Sequence, residues 1–268
     1  GNMMAFMQYA MQIIMSFLMI TMMSIMLPRA SVAAKRINEV MGTKVSILDG
    51  EAHALPDKGA KGEVRFEHVG FSYPGADEET LTDIDFSAHK GETVAFIGST
   101  GSGKSTLVNL IPRFFDVSSG RILVDGVDVR DMKLTDLRDR IGYVPQKGVL
   151  FSGTIDSNIR YGKEDATDAE VQRAAEVAQA WDFIQEKEEK VDSEIAQGGT
   201  NVSGGQKQRL SIARAIAKRP EIYIFDDSFS ALDYKTDVVL RRALKKETKD
   251  ATTLIVAQRI STILHADR

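Results

Sequence analysis

Three textures follow one another along the chain. Residues 1–27, GNMMAFMQYAMQIIMSFLMITMMSIML, contain no charged side chain. As a helix at about 1.5 Å per residue, this run would reach roughly 40 Å, enough to cross a bilayer. Pro28 and Arg29 end it, and Lys35 and Arg36 follow. By the positive-inside tendency its C-terminal end lies in the cytoplasm. A buried core helix or a signal sequence is the alternative, but a signal peptide carries its basic residues before the apolar run, and here they come after. Nine of the eleven methionines lie in this stretch. Met4, Met7, Met11, Met15, Met19, Met22 and Met26 step by three or four and share one helical face. Ordinary helix packing explains such a stripe. So does a soft wall along a translocation path, since Met repacks around varied apolar shapes.

The helical pattern continues through 29–41, and residues 42–62 form a polar linker with Gly42, Gly50, Pro56, Gly59 and Gly62. From Glu63 the pattern becomes that of a globular domain. Alternation in EVRFEHVGFSY predicts antiparallel strands. The apolar runs TVAFIG, IYIFD and TLIVA predict buried parallel strands interleaved with helices. The chain thus divides into a membrane segment (1–41), a linker (42–62) and an α/β domain (63–268). Gly1 at the start, and a stop at Arg268 soon after a strand-like run, read as the ends of a piece cut from something longer.

Composition changes this picture little. The net charge of -4 gives no basic excess for nucleic acid, and the absence of cysteine excludes a disulfide framework and any thiolate metal site. The acidic and basic run Glu186 to Lys190 reads as a solvated helix face, and Trp181 as a packing residue.

The chemistry begins at GSTGSGKST. Gly98, four residues, then Gly103-Lys104-Ser105 fits the phosphate-binding pattern G-x-x-x-x-G-K-[ST], with Ser99, Thr100, Gly101 and Ser102 inside the loop. Its glycines let backbone N–H groups turn inward on phosphate oxygens. Lys104 adds a point charge near the β- and γ-phosphates, and the Ser105 hydroxyl suits Mg²⁺. The following helix, read as Lys104 to Phe115 and including Thr106, aims its positive end at the same anion. Such a loop needs a second strand bringing an acid to the metal, and IYIF followed by Asp226 supplies one.

Together these residues resemble the ATP-binding cassette (ABC) transporters, and among them the exporter half-transporters. The most specific element is NVSGGQKQR, which is similar to the family's signature motif. Through Ser203, Gly204, Gly205 and Gln206 that motif contacts the γ-phosphate of ATP held on a second cassette. The resemblance implies an α/β fold with a RecA-like core, an antiparallel β subdomain and a helical subdomain from about Gln146 to Ser211, preceded by one transmembrane helix. It implies ATP and Mg²⁺, with Tyr73 stacking on adenine and Ser105, Gln146 and Asp226 at the metal. Ser230 to Asp233 resembles the loop that crosses the cassette dimer interface. The stretch TDLRDRIGYVPQ is a candidate for membrane-domain contacts. A soluble cassette acting on ribosomes or DNA would show tandem cassettes or a long coiled coil, and neither is present.

Two residues depart from the family pattern. The acid after Asp226 is normally Glu and orients or deprotonates the attacking water; here it is Asp227, one methylene shorter. The switch residue after the last strand is normally His; here it is Gln258, which hydrogen-bonds but neither carries a positive charge nor shuttles a proton. His265, seven residues later, does not look like a substitute. Both departures fall on the same chemical step. They lead us to expect a slow ATP site whose intact signature completes a partner's site, as in a heterodimeric exporter of the bacterial inner membrane moving an amphipathic substrate. Two alternatives remain: a homodimer in which Asp227 and Gln258 are tolerated, and a regulatory subunit without appreciable turnover.

Overall fold

A computed structural model describes residues 2–50, 61–259, 263 and 266–268. They form two compact units, Gly1–Leu48 and Asp49–Arg268.

The first unit is dominated by one helix, α1 (Asn2–Met41), which runs through Pro28 with none of its residues buried. Three of its hydroxyls bond to the helix backbone: Ser16 to the Gln12 carbonyl (2.8 Å), Thr21 to Phe17 (2.9 Å) and Ser24 to Ile20 (2.9 Å). A helix so arranged presents few unpaired polar hydrogens to an apolar solvent. Its length and hydropathy suffice to cross a membrane.

The second unit contains, in order, β1 (Val64–Phe71), β2 (Leu81–Ala88), β3 (Thr93–Ile97), α2 (Lys104–Leu110), β4 (Ser119–Val124), β5 (Val127–Asp128), α3 (Leu134–Asp139), β6 (Ile141–Val144), β7 (Gly153–Thr154), α4 (Ile155–Arg160), α5 (Asp168–Val177), α6 (Trp181–Gln185), β8 (Glu194–Ile195), α7 (Gly204–Lys218), β9 (Ile222–Asp226), α8 (Tyr234–Glu247) and β10 (Thr252–Ala257). Residues 51–60 of the linker lie outside the described residues; 42–48 fall in the first unit, and Asp49 and Gly50 in this one. The Asp49 carboxylate accepts from the Leu134 N–H (2.7 Å), and the Gly50 N–H donates to the Met132 carbonyl (3.2 Å).

Two sheets carry the unit. One is antiparallel, in the order β2-β1-β4-β5; the other is β3-β10-β9-β6, with every neighbouring pair parallel. The sequence patterns expect this contrast. β1 alternates until its last residues, whereas β9 is buried along its whole length. A strand covered on both faces has no polar side to show. Ile222 and Ile224 of β9 join one core with β1, β4 and α2, while Tyr223 and Phe225 join the other with α7 and α8. The P-loop helix α2 is thus packed between the two sheets. The second core also gathers α4, α5 and α6, the helical part expected between Gln146 and Ser211.

Two local expectations change. The helix after the phosphate loop ends at Leu110 rather than reaching Phe115. Pro112 has no N–H to continue the ladder, and the chain turns at Arg113, whose φ is 54°. The run Glu186 to Lys190 is a turn after α6, exposed for the most part, and not a helix face. Trp181, at the start of α6, packs against the helical core as expected.

Candidate active site

The parallel sheet delivers its chemistry at one edge. Val256 lies opposite Asp226, Ala257 opposite Ile97, and Val144 opposite Phe225. The residues that follow these strands, Gly98, Asp227, Gln258 and Gln146, therefore leave the sheet together at its carboxyl end. In open α/β sheets that end is where ligands bind.

The phosphate loop is shaped by glycine. Gly101 (φ 84°) and Gly103 (φ 85°) occupy the left-handed region, and a Cβ on Gly103 would meet the Leu81 side chain at 2.9 Å. Lys104 folds over the loop and donates to the carbonyls of Gly98 (2.9 Å) and Ser99 (2.6 Å) and to the Ser102 hydroxyl (3.1 Å). Its ammonium therefore stays at the loop centre, while Ser99, Thr100 and Gly101 remain exposed. Ser105 donates to Asp226 Oδ1 at 2.7 Å, joining the loop to β9. Burial pushes the Asp226 carboxyl above its ordinary range, opposed by this bond and by the Tyr143 hydroxyl.

Sequence reasoning did not single out Tyr143. Its hydroxyl sits 2.8 Å from Asn109 Oδ1 and 3.4 Å from Asp226 Oδ2, and burial holds the phenol firmly neutral. No sequence signal marks it, because its partners lie 34 and 83 residues away. Tyr73 packs edge-on to Phe71 and Phe115, with ring centroids 4.9 and 5.3 Å away, and its hydroxyl lies 2.9 Å from the Thr106 hydroxyl. The residue is 36% exposed, and its hydroxyl stands beside the start of α2.

Asp227 is held from several sides. Its φ is 46°, its N–H donates to the Val256 carbonyl (3.0 Å), and its own carbonyl accepts from the Ser230 hydroxyl (2.8 Å). Its Oδ2 accepts from two amides, Gln146 Nε2 (3.0 Å) and Gln258 Nε2 (3.1 Å). The two departures from the family pattern are thus in direct contact. Ser228, wholly buried, donates to the Val144 carbonyl (2.8 Å) and ties β9 to β6 just before Gln146.

The oxygen atoms here suit a small hard cation. Among the described residues no cluster of three acids or histidines is present. Mg²⁺ instead takes one or two protein oxygens together with substrate phosphates. Ser105 Oγ and the Asp226 carboxylate, side by side at 2.7 Å, would supply these. The Gln146 carbonyl oxygen is left over once its amide nitrogen turns to Asp227.

Ser203 caps α7. Its Oγ accepts from the Gln206 N–H (3.2 Å), and Gln206 Oε1 accepts from the Ser203 N–H (3.0 Å). The hydroxyl proton of the exposed Ser203 therefore points away from the cap. Gly205 lies against Ala231 and Leu232. Asp233 caps α8 by accepting from the Thr236 N–H (3.0 Å), and hydrogen bonding by the Thr236 side chain and N–H holds its carboxyl below the usual range. The helix α7 also braces the loop carrying Gln146. Buried Gln208, a second residue that sequence reasoning missed, donates to the Pro145 carbonyl (3.0 Å), and a Cβ on Gly148 would meet the Lys207 backbone at 2.8 Å. His265 lies outside the described residues.

A parallel sheet with a phosphate loop, an acid pair and a capped helix at SGGQ defines the class, and the chain belongs to the ABC transporter family. Residues 81–230 match the family described as "ABC transporter". The full chain is 48% identical to 46% of an "Uncharacterized ABC transporter ATP-binding protein" of Mycobacterium tuberculosis. Over 80% of its length it is 49% identical to 37% of a "Putative multidrug export ATP-binding/permease protein" of Staphylococcus aureus. A solved structure of a bacterial Atm1-family ABC exporter with ATP bound superposes on 90% of this chain, and on 42% of that one, with TM-score 0.81 and 36% identity. The chain thus spans less than half the length of these relatives.

Proposed function

We propose that this chain is the ATP-binding and ATP-hydrolysing subunit of an ABC exporter. In this reading residues 1–41 end the membrane domain, 42–62 link, and 63–268 form the cassette. ATP sits with its base on Tyr73 and its phosphates in the loop Gly98 to Thr106. Mg²⁺, held by Ser105, Gln146 and Asp226, would neutralise charge on the phosphate oxygens. Asp227 orients water in its own site. Ser203, Gly204, Gly205 and Gln206, with Asp233 behind them, close a second site on a partner cassette. Closure of the pair drives membrane helices that export an amphipathic or drug-like molecule across the bacterial inner membrane.

The observation that carries this reading is the gathering of Lys104, Ser105, Asp226, Asp227, Gln146 and Gln258 at one sheet edge. The finer reading is that the own site is slow and the partner a different half-transporter. It rests on the short acid and the uncharged switch residue, because a misplacement of about 1 Å costs on the order of 10²-fold in rate.

The test is steady-state ATP turnover by the full-length chain in lipid, alone and mixed with its candidate partner, beside Asp227→Glu/Gln258→His. Near silence alone, recovery with the partner and a gain in the double variant are expected. Brisk turnover by the native chain alone would make Asp227 a sufficient catalytic acid and the homodimeric exporter the better account.

A further inference from the structure

The acid and the switch residue meet at one atom. Gln146 and Gln258 both reach Asp227 Oδ2, at 3.0 and 3.1 Å, from the ends of β6 and β10. A carboxylate only accepts, so each glutamine must turn its NH₂ toward it. Each amide keeps a second N–H and a carbonyl oxygen for other work. Among the described residues no donor reaches Asp227 Oδ1.

The backbone of Asp227 is equally constrained, by the Val256 carbonyl on its N–H and by Ser230 on its carbonyl, with φ at 46°. The acid cannot slide forward. A residue one methylene longer would drive its carboxylate by more than about 1 Å into both amides, where hydrogen-bonded atoms leave no such room. The lengths of Asp227 and Gln258 therefore fit each other. One amide nitrogen can donate to Asp227 and, through its second hydrogen, to a phosphate oxygen. A neutral histidine, with a single N–H, could not make both of these bonds at once.

We propose that Gln146 and Gln258 form a two-amide clamp on Asp227, which fixes one carboxylate oxygen and leaves the other to face the terminal phosphate. Gln258 is then a positioning residue that acts through Asp227, and Asp227 and Gln258 are a matched pair rather than two separate losses. This rests on the reading of the site as an ATP site.

The test uses the full-length chain in lipid, with single-turnover hydrolysis and the Kd of a fluorescent ATP analogue with Mg²⁺ as readouts. Gln258→Ala should lower the single-turnover rate about tenfold, within the range that mispositioning allows, and change Kd less than about twofold. In an Asp227→Asn background the same replacement should change the rate less than about twofold. Asp227→Glu and Gln258→Asn should each lose about tenfold, whereas Asp227→Glu/Gln258→Asn, which relieves the crowding at Gln258 but not at Gln146, should lose clearly less than either single variant. Equal costs of Gln258→Ala in both backgrounds, or a compensated pair no better than its singles, overturn the clamp and leave the ATP-site reading standing.

Glutamine-selective ¹⁵N spectra read the contact itself, whatever the turnover. Asp227→Asn should move the side-chain NH₂ signals of both Gln146 and Gln258, and Gln258→Ala should move that of Gln146. If these signals do not move, there is no clamp, even in a chain that binds ATP without hydrolysing it. A native chain that binds no Mg-ATP overturns the ATP-site reading instead, and the amide spectra still decide the clamp.

Discussion

Asp226 shows how a buried acid burdens the fold. Burial raises its carboxyl above the ordinary 3.8, so the folded chain holds that proton more tightly than the unfolded one. Stability is then lost as pH rises from that ordinary value through the raised one, and it is lowest above both. Without nucleotide, Asp226→Asn should melt higher than native at pH 7. The gap should narrow as the pH falls toward 3.8. Calorimetry across this range checks the sign, and a native chain that melts higher at pH 7 would refute it. The residue motifs were legible because each sits within a few positions of its strand end. Tyr143 and Gln208 were not, because their partners are 83 and 63 residues distant.

At the scale of elements, the proposed function gives α7 two jobs that one substitution can separate. Ser203→Ala removes the cap and should cost about 1 kcal/mol. Ser203→Asp retains a capping oxygen, so urea unfolding should stay near native. It also sets a negative charge where a partner's γ-phosphate would approach, so turnover in the assembled transporter should fall at least tenfold. The packing of α7 on the loop before β7 has its own test. Gly148→Ala brings a Cβ to 2.8 Å from the Lys207 backbone. Such overpacking should cost about 1–3 kcal/mol, read as a lower urea midpoint. The strands were read from sequence because burial on both faces leaves an uninterrupted apolar run. The early end of α2 was missed although Pro112 was visible. The turn at Glu186 to Lys190 was missed because charge density marks solvent, not backbone shape.

At the scale of the whole molecule, α1 and the cassette answer to different solvents. Among the described residues, none in α1 is buried. An arginine at Leu18, amid the uncharged run, should cost about 2.5–3.5 kcal/mol of membrane insertion. The share of full-length protein recovered in membranes should fall with it, while a charge added beyond Arg36 should leave it unchanged.

The order of the motifs, the membrane-length helix and the two departures were determined by sequence alone, because each is a local pattern of side-chain type and spacing. Only the tertiary structure decided that the departures touch. Residues 146, 227 and 258 are far apart along the chain, and the parallel register of β6, β9 and β10 brings their amides to a single carboxylate oxygen. Sequence shows a missing methylene and a missing imidazole as separate absences. Distance in space shows that the short acid and the amide are in direct contact.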